Sequence, residues 1–205
     1  MKIPPTRIPV DDATRQLIRR LIVEEALHTS PPPVEIMDAL IDAGSLLRLA
    51  QFTPLIAEGE TDDSFYILVD GITRNWHWNA DVEQTTSFAC RGTQLLDYHC
   101  YYAGKPSLDT IEACCECTVL QVPRARFDAL MDRYPEFTRW QLMMSYDAHY
   151  FLELKRATLM GDAAARYKAL VENRIEILQK VPLKIIASYL GITPQHLSLI
   201  RRRKN

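Results

Sequence analysis

The 205-residue chain has only seven glycines, and charged residues break its apolar stretches well before the roughly 18 consecutive residues that a membrane span requires. A disordered tail, a repeat fibre and a membrane-spanning helix are therefore excluded. There is no glycine-rich phosphate loop, no His-Glu-x-x-His pair and no serine nucleophile elbow, so the sequence signatures of the common hydrolases are missing. No catalytic residue is expected, and the chain reads as a non-enzyme. Met1–Pro9 is rich in proline and has no apolar run, which argues against a secretory signal and predicts a cytoplasmic protein. Cysteine is sparse and odd in number: Cys90, Cys100, Cys114, Cys115 and Cys117, with none in the first 89 residues. Reduced thiols are the expectation, and no disulfide framework is implied.

What is present is the composition of an ordinary folded protein, 47% hydrophobic, 24% charged and 9% aromatic. The length suits one large core or two modest ones, and usual domain sizes favour two. The net charge of −2 hides an asymmetry: from Asp162 onward nine basic residues face three acidic ones, leaving the last segment at +6 and the rest at −8. Such a division suggests an acidic sensor joined to a part that meets a polyanion.

Helical spacing appears first, over Asp11–His28 and, after Pro31–Pro33, over Val34–Ala43. From Leu46 to about Pro123 the pattern changes to short apolar or alternating runs: Leu46–Ile56, Phe65–Val69, Ile72–Trp78, Glu83–Cys90, Asp109–Ala113 and Thr118–Val122. Turn signals separate them, so a β-sandwich or jelly roll with a ligand-sized interior is expected. Helical spacing then returns over Arg126–Arg133 and Pro135–Met160, the latter opened by Pro135 and closed by Gly161. Phe137, Trp140, Met144, Phe151, Leu154 and Thr158 fall along one face of that long helix, widened by Met143, Tyr146 and Tyr150. A helix of about 25 residues is close to 40 Å long, more than a small domain covers, so the stripe is expected to meet a second copy, with burial on its own roll the alternative.

Pro182–Asn205 is the most informative segment. With Leu183 opening a helix-turn-helix, Ile186, Ala187 and Leu190 form the buried face of the first helix, Gly191 the turn, and Ile192, Leu197 and Ile200 the underside of the second. Ala187 allows close crossing, Gly191 supplies a positive φ, and Thr193-Pro194 gives an N-cap followed by a favoured first residue. The second helix then presents Gln195, His196, Ser198, Leu199, Arg201, Arg202 and Arg203, with Thr193 at its start, as candidate DNA-binding residues. Glutamine can read adenine, leucine can touch a thymine methyl, and arginine can take guanine or phosphate. A plain helical hairpin with a solvated basic end is the alternative.

Acidic roll, long helix and helix-turn-helix, in that order, resemble the Crp/Fnr family of bacterial transcription regulators along nearly the whole chain. The matching stretches are Glu58-Gly59-Glu60 before Ser64–Gly71, Asp97-Tyr98 ahead of Gly104-Lys105-Pro106-Ser107, Tyr134-Pro135-Glu136-Phe137, and above all Val181–Pro194. The resemblance implies an α+β fold: N-terminal helices and a double-stranded β-helix (jelly-roll) sensor at 1–134, a dimerisation helix at 135–161, and a helix-turn-helix domain without a C-terminal wing at 162–205. It implies a homodimer on double-stranded DNA, RNA polymerase as a further partner, and an unknown small-molecule effector held near Leu96, Asp97, Tyr98, Ser107 and Leu108. No membrane partner is implied.

Nucleotide-binding members of that family carry a Gly-Glu pair for the ribose and an Arg-Ser or Arg-Thr pair for the cyclic phosphate. Here the corresponding positions are Leu96-Asp97 and Ser107-Leu108. A desolvated phosphate needs a guanidinium or an equivalent donor set, and Lys105 beside Pro106 reads as a solvated turn residue, so cyclic AMP is not the expected ligand and no cofactor is implied. The recognition helix departs too, with Gln195 and Leu199 where the family often has Glu and Arg. A second reading therefore stands, in which the roll is an interaction or ligand-binding module whose helix-turn-helix no longer reads bases. A third, a metal-dependent roll enzyme, is weaker: Cys114-Cys115-Glu116-Cys117 is half a ligand set, and His77 and His99 are the only roll histidines. No metal site is expected.

Overall fold

The computed structural model describes residues 4–26, 28–159 and 162–204. A short strand β1 (Thr6–Ile8) leads into helices α1 (Asp12–Glu25) and α2 (Val34–Ala43). Asp11 caps α1 by accepting from the Thr14 amide at 2.8 Å, so the helix begins one residue after the sequence pattern does. There follow β2 (Ser45–Leu49), β3 (Pro54–Ile56), β4 (Phe65–Asp70), β5 (Ile72–Asn79), β6 (Val82–Cys90) and β7 (Gln94–Leu95). After the one-turn helix α3 (Tyr98–Tyr101) come β8 (Thr110–Ala113) and β9 (Cys117–Val122). The remainder is helical: α4 (Arg124–Arg133), α5 (Pro135–Leu159), α6 (Ala163–Asn173), α7 (Ile175–Lys180), α8 (Leu183–Tyr189) and α9 (Pro194–Lys204). Met160 and Gly161, expected as the last residue of the long helix and its stop, lie outside the described residues.

The strands form two antiparallel sheets, ordered β1-β2-β9-β4-β7 and β3-β8-β5-β6. The expected run Leu46–Ile56 is divided between them, because the chain turns at Phe52, a residue with φ +62°, and β3 starts afresh on β8. Strand β4 explains why Phe65–Val69 is apolar without alternation. Phe65, Ile67 and Val69 face α1, α2, α4 and the start of α5, whereas Tyr66 and Leu68 face the interior of the roll. Both faces are buried, so the period of two lies in which core each side chain joins. Leu47, Leu49, Ile56, Leu95, Ile111, Ala113 and Val119 fill the rest of that interior.

The four-stranded sheet has a different outer layer. Ile72, Cys90 and Cys114 pack with Tyr167, Leu170, Ile177, Ile186, Leu190 and Leu197, so the C-terminal helices share a core with the roll. Ser188 of α8 fastens them: its hydroxyl accepts from the Thr85 amide at 2.9 Å and donates to the Glu83 carbonyl at 2.8 Å. Phe88 and Tyr189 meet beside it with ring centroids 5.0 Å apart. Near this seam burial pushes the Glu25 carboxyl above the usual range, with attraction to Arg174 opposing the shift and repulsion from Glu24 adding to it. The folded chain thus holds its proton to a higher pH than the unfolded chain, and stability falls as pH rises from the ordinary value of 4.5 toward the raised one. Glu25→Gln is expected to remove that fall and to be more stable than the parent at neutral pH; urea unfolding across pH checks it, and unchanged profiles would refute it.

Candidate nucleic-acid interface and sensor loop

Helices α8 and α9 form the helix-turn-helix at the positions read from the sequence. Pro182 precedes α8, and its carbonyl accepts from the Ile185 and Ile186 amides. Ala187 is fully buried where the two helices approach, and Gly191 turns the chain at φ +65°. Thr193 Oγ1 caps α9 by accepting from the His196 amide at 3.2 Å. Leu197 and Ile200 anchor the underside. What remains outside is Gln195, His196, Leu199, Arg201 and Arg202, all exposed, with Leu199 at 54%. Gln195, Leu199 and Arg202 are four and three residues apart and so lie on one helix face. Ser198 is partly buried and donates back to the Pro194 carbonyl at 3.0 Å, while the side chain of Arg203 lies outside the described residues.

The loop that carries Asp97 and Ser107 is held by its own hydrogen bonds. Asp97 caps α3 through Oδ1, which accepts from the Cys100 amide at 2.9 Å, and its other oxygen meets the Ser107 hydroxyl. Ser107 is buried and also lies 2.6 Å from the Asp109 carbonyl. Leu96 is partly buried; Tyr98 and Leu108 point outward. The structure thus joins Asp97 and Ser107, and among the described residues no cation is paired with them; Lys105 is exposed. An anionic ligand at Ser107 would face the Asp97 carboxylate, the opposite of what a phosphate needs. Among the described residues, a cleft of about 640 Å³ lies between His28–Pro33 and Glu136, Arg139, Trp140 and Met143, and another of about 530 Å³ lies on the outer face of the four-stranded sheet. Neither is lined by Leu96, Asp97, Tyr98, Ser107 or Leu108.

On α5 the apolar stripe divides in two. Phe137 and Trp140 are buried in the chain's own core, and Met144 packs against it, so these three residues are not on an open face. The early part of the helix is therefore covered by the roll's own helices, the alternative left open by the spacing. Phe151 and Leu154 are each 45% exposed, and Leu142, Tyr146, Tyr150 and Leu152 on the same helix are exposed as well. The side chain of Thr158 is outside the described residues.

The cysteines and histidines do not converge. Burial pushes the Cys90, Cys114 and Cys117 thiols up to about 12, which keeps them protonated and poor as nucleophiles or ligands. His77 pairs with Asp109 at 3.0 Å and His99 with the Pro106 carbonyl at 2.7 Å. Among the described residues no three His, Cys, Asp or Glu side chains are grouped to hold a metal. Arg74 belongs to no motif in the sequence, yet it is the hub of a buried network. It donates to Glu112 Oε1 from Nε at 3.0 Å and from Nη2 at 2.7 Å, and to Glu83 and Thr85 through Nη1. The available signal was an arginine among the apolar and aromatic residues of a strand.

Residues 46–134 match the family model of the cyclic nucleotide-binding domain. The chain is similar in structure to FixK2 from Bradyrhizobium japonicum, with a TM-score of 0.66 at 17% identity, covering 78% of this chain and 83% of that one. It is similar to the catabolite activator protein of Thermus thermophilus, with a TM-score of 0.52 at 16% identity over 87% and 85% of the two chains. The sensor domain of the transcriptional regulator DNR from Pseudomonas aeruginosa gives a TM-score of 0.53 at 12% identity over 71% and 92%. None of the curated proteins compared with the chain matches it. A cyclic nucleotide-binding-type roll followed by a long helix and a helix-turn-helix is the Crp/Fnr fold. No described helix is long and apolar enough to cross a membrane.

Proposed function

We propose that the chain is a homodimeric, DNA-binding transcription regulator of Crp/Fnr type, divided at 1–134, 135–161 and 162–205, whose roll answers to a ligand other than cyclic AMP. The observation that carries this reading is α9: Leu197 and Ile200 fix it from beneath while Gln195, His196, Leu199, Arg201 and Arg202 stand in solvent. A helix so anchored presents base-reading and phosphate-binding side chains together. A second copy packed on the exposed part of α5 around Tyr146 and Tyr150 would place two such helices on successive major grooves, about 34 Å apart. The Asp97–Ser107 pair and the absence of a guanidinium from that loop support a ligand without a cyclic phosphate.

Fluorescence-polarisation titration with duplex DNA tests it. Binding is expected to weaken steeply with salt, and cyclic AMP is expected to leave the curves unchanged. Arg202→Ala should weaken specific and random duplexes alike and flatten the salt slope by about one unit. Gln195→Ala should cost about 1–3 kcal/mol on a selected operator and little on random DNA. A salt-independent interaction, or no enriched sequence from randomised duplexes, would favour the module without base readout.

A further inference from the structure

We propose that the outer face of the four-stranded sheet binds a small quaternary ammonium cation. The site is the cleft of about 530 Å³ walled by Phe52, Trp76, Trp78, Glu58 and Glu112, with Pro54 at one side. Its aromatic walls come from strand periodicity: Trp76 and Trp78, two apart on β5, share a face, and their rings meet edge to face at 5.6 Å and 82°. Phe52 adds a third ring from the turn, half exposed and held at a positive φ that few bulky residues adopt. The Phe52 amide fixes that turn by donating to the Ala113 carbonyl at 2.7 Å.

The charge of the cleft selects the ligand. Arg74 lies behind the wall with its guanidinium 5.1 Å from the Trp76 ring centroid, so this indole already takes a cation on one face. Both Arg74 bonds to Glu112 end on Oε1. Glu58 and Glu112 are the charged residues of the lining, and Arg74, which pairs with Glu112 and with Glu83, is not part of it. An anion is repelled here, and an apolar ligand would strip water from carboxylates without offsetting them. A methylated ammonium needs no hydrogen-bond partner, attracts the aromatic faces and answers the carboxylates. The Gly59 amide at the rim donates to the Ser107 carbonyl at 2.9 Å, so the cleft borders the sensor loop without using its side chains.

Choline and its uncharged isostere 3,3-dimethylbutan-1-ol, titrated into the full chain labelled with nitrogen-15, test the proposal through the three indole signals. Choline is expected to move the Trp76 and Trp78 signals saturably at about millimolar concentration and to leave Trp140 in place, with the isostere at least about five-fold weaker. Trp78→Ala and Glu58→Gln both change exposed side chains, so the fold should persist by circular dichroism, and each should weaken choline by about five-fold or more. Equal responses to the two compounds, no saturable shift, or variants that bind choline as tightly as the parent would overturn it.

Discussion

Gly71→Ala is expected to cost about 2–5 kcal/mol of stability, the sum of a strained backbone and an overpacked contact. Gly71 joins β4 to β5 at φ +97°, and a Cβ there would lie 2.5 Å from Cys117 Sγ and 2.6 Å from the Glu116 carbonyl oxygen. The sulfur can rotate aside, but the carbonyl belongs to the turn that opens β9 and cannot move without disturbing the ladder. Adding Cys117→Ala should therefore recover only part of the loss. Urea unfolding of the parent, the single and the double variant measures both quantities; a single variant within about 0.5 kcal/mol of the parent would show that the turn re-forms without strain.

Arg74→Leu should be comparably severe, at about 3–5 kcal/mol, because it strands Glu112, whose side chain is only 11% exposed, inside the sheet's outer layer. Removing both charges should be far milder: Arg74→Leu with Glu112→Leu is expected to recover most of the loss, since an apolar pair has no desolvated charge to stabilise. Glu83 keeps contact with water at 27% exposure and can remain. Thermal unfolding of the three variants decides the matter, and a double variant no better than the single one would mean that packing around Trp76, rather than charge, governs this layer.

Much of this architecture was legible from residue patterns because its signals are local. The helix-turn-helix needed a small residue at Ala187, a turn glycine at Gly191 and a cap at Thr193, and each of these acts within a few residues of its own position. The roll was visible as short apolar runs, though its boundaries moved where the chain bends, as at Phe52. Helices α6 and α7 and the short strands β1 and β7 had no comparably strong pattern. The surroundings of the long helix were harder to read for a physical reason. Helical spacing places Phe137 and Trp140 on an apolar face but does not say whether the covering surface belongs to the same chain or another, and here α1, α2 and α4 cover it. The Arg74 network was hidden for a similar reason: its three strands are joined only by folding, with Arg74 and Glu112 separated by 38 positions.

The Ser188 contact bears on more than the position of the helix-turn-helix. Strand β6 is the outermost strand of its sheet, and the Thr85 amide and Glu83 carbonyl lie on its free side, where Ser188 occupies them. Were the C-terminal helices to swing away from the roll, they would uncover an open strand margin, with Phe88 beside it, of the kind that pairs with another chain. The hydroxyl that fastens α8 thus also covers the free side of β6, so release of the C-terminal helices and exposure of that strand margin would arise together.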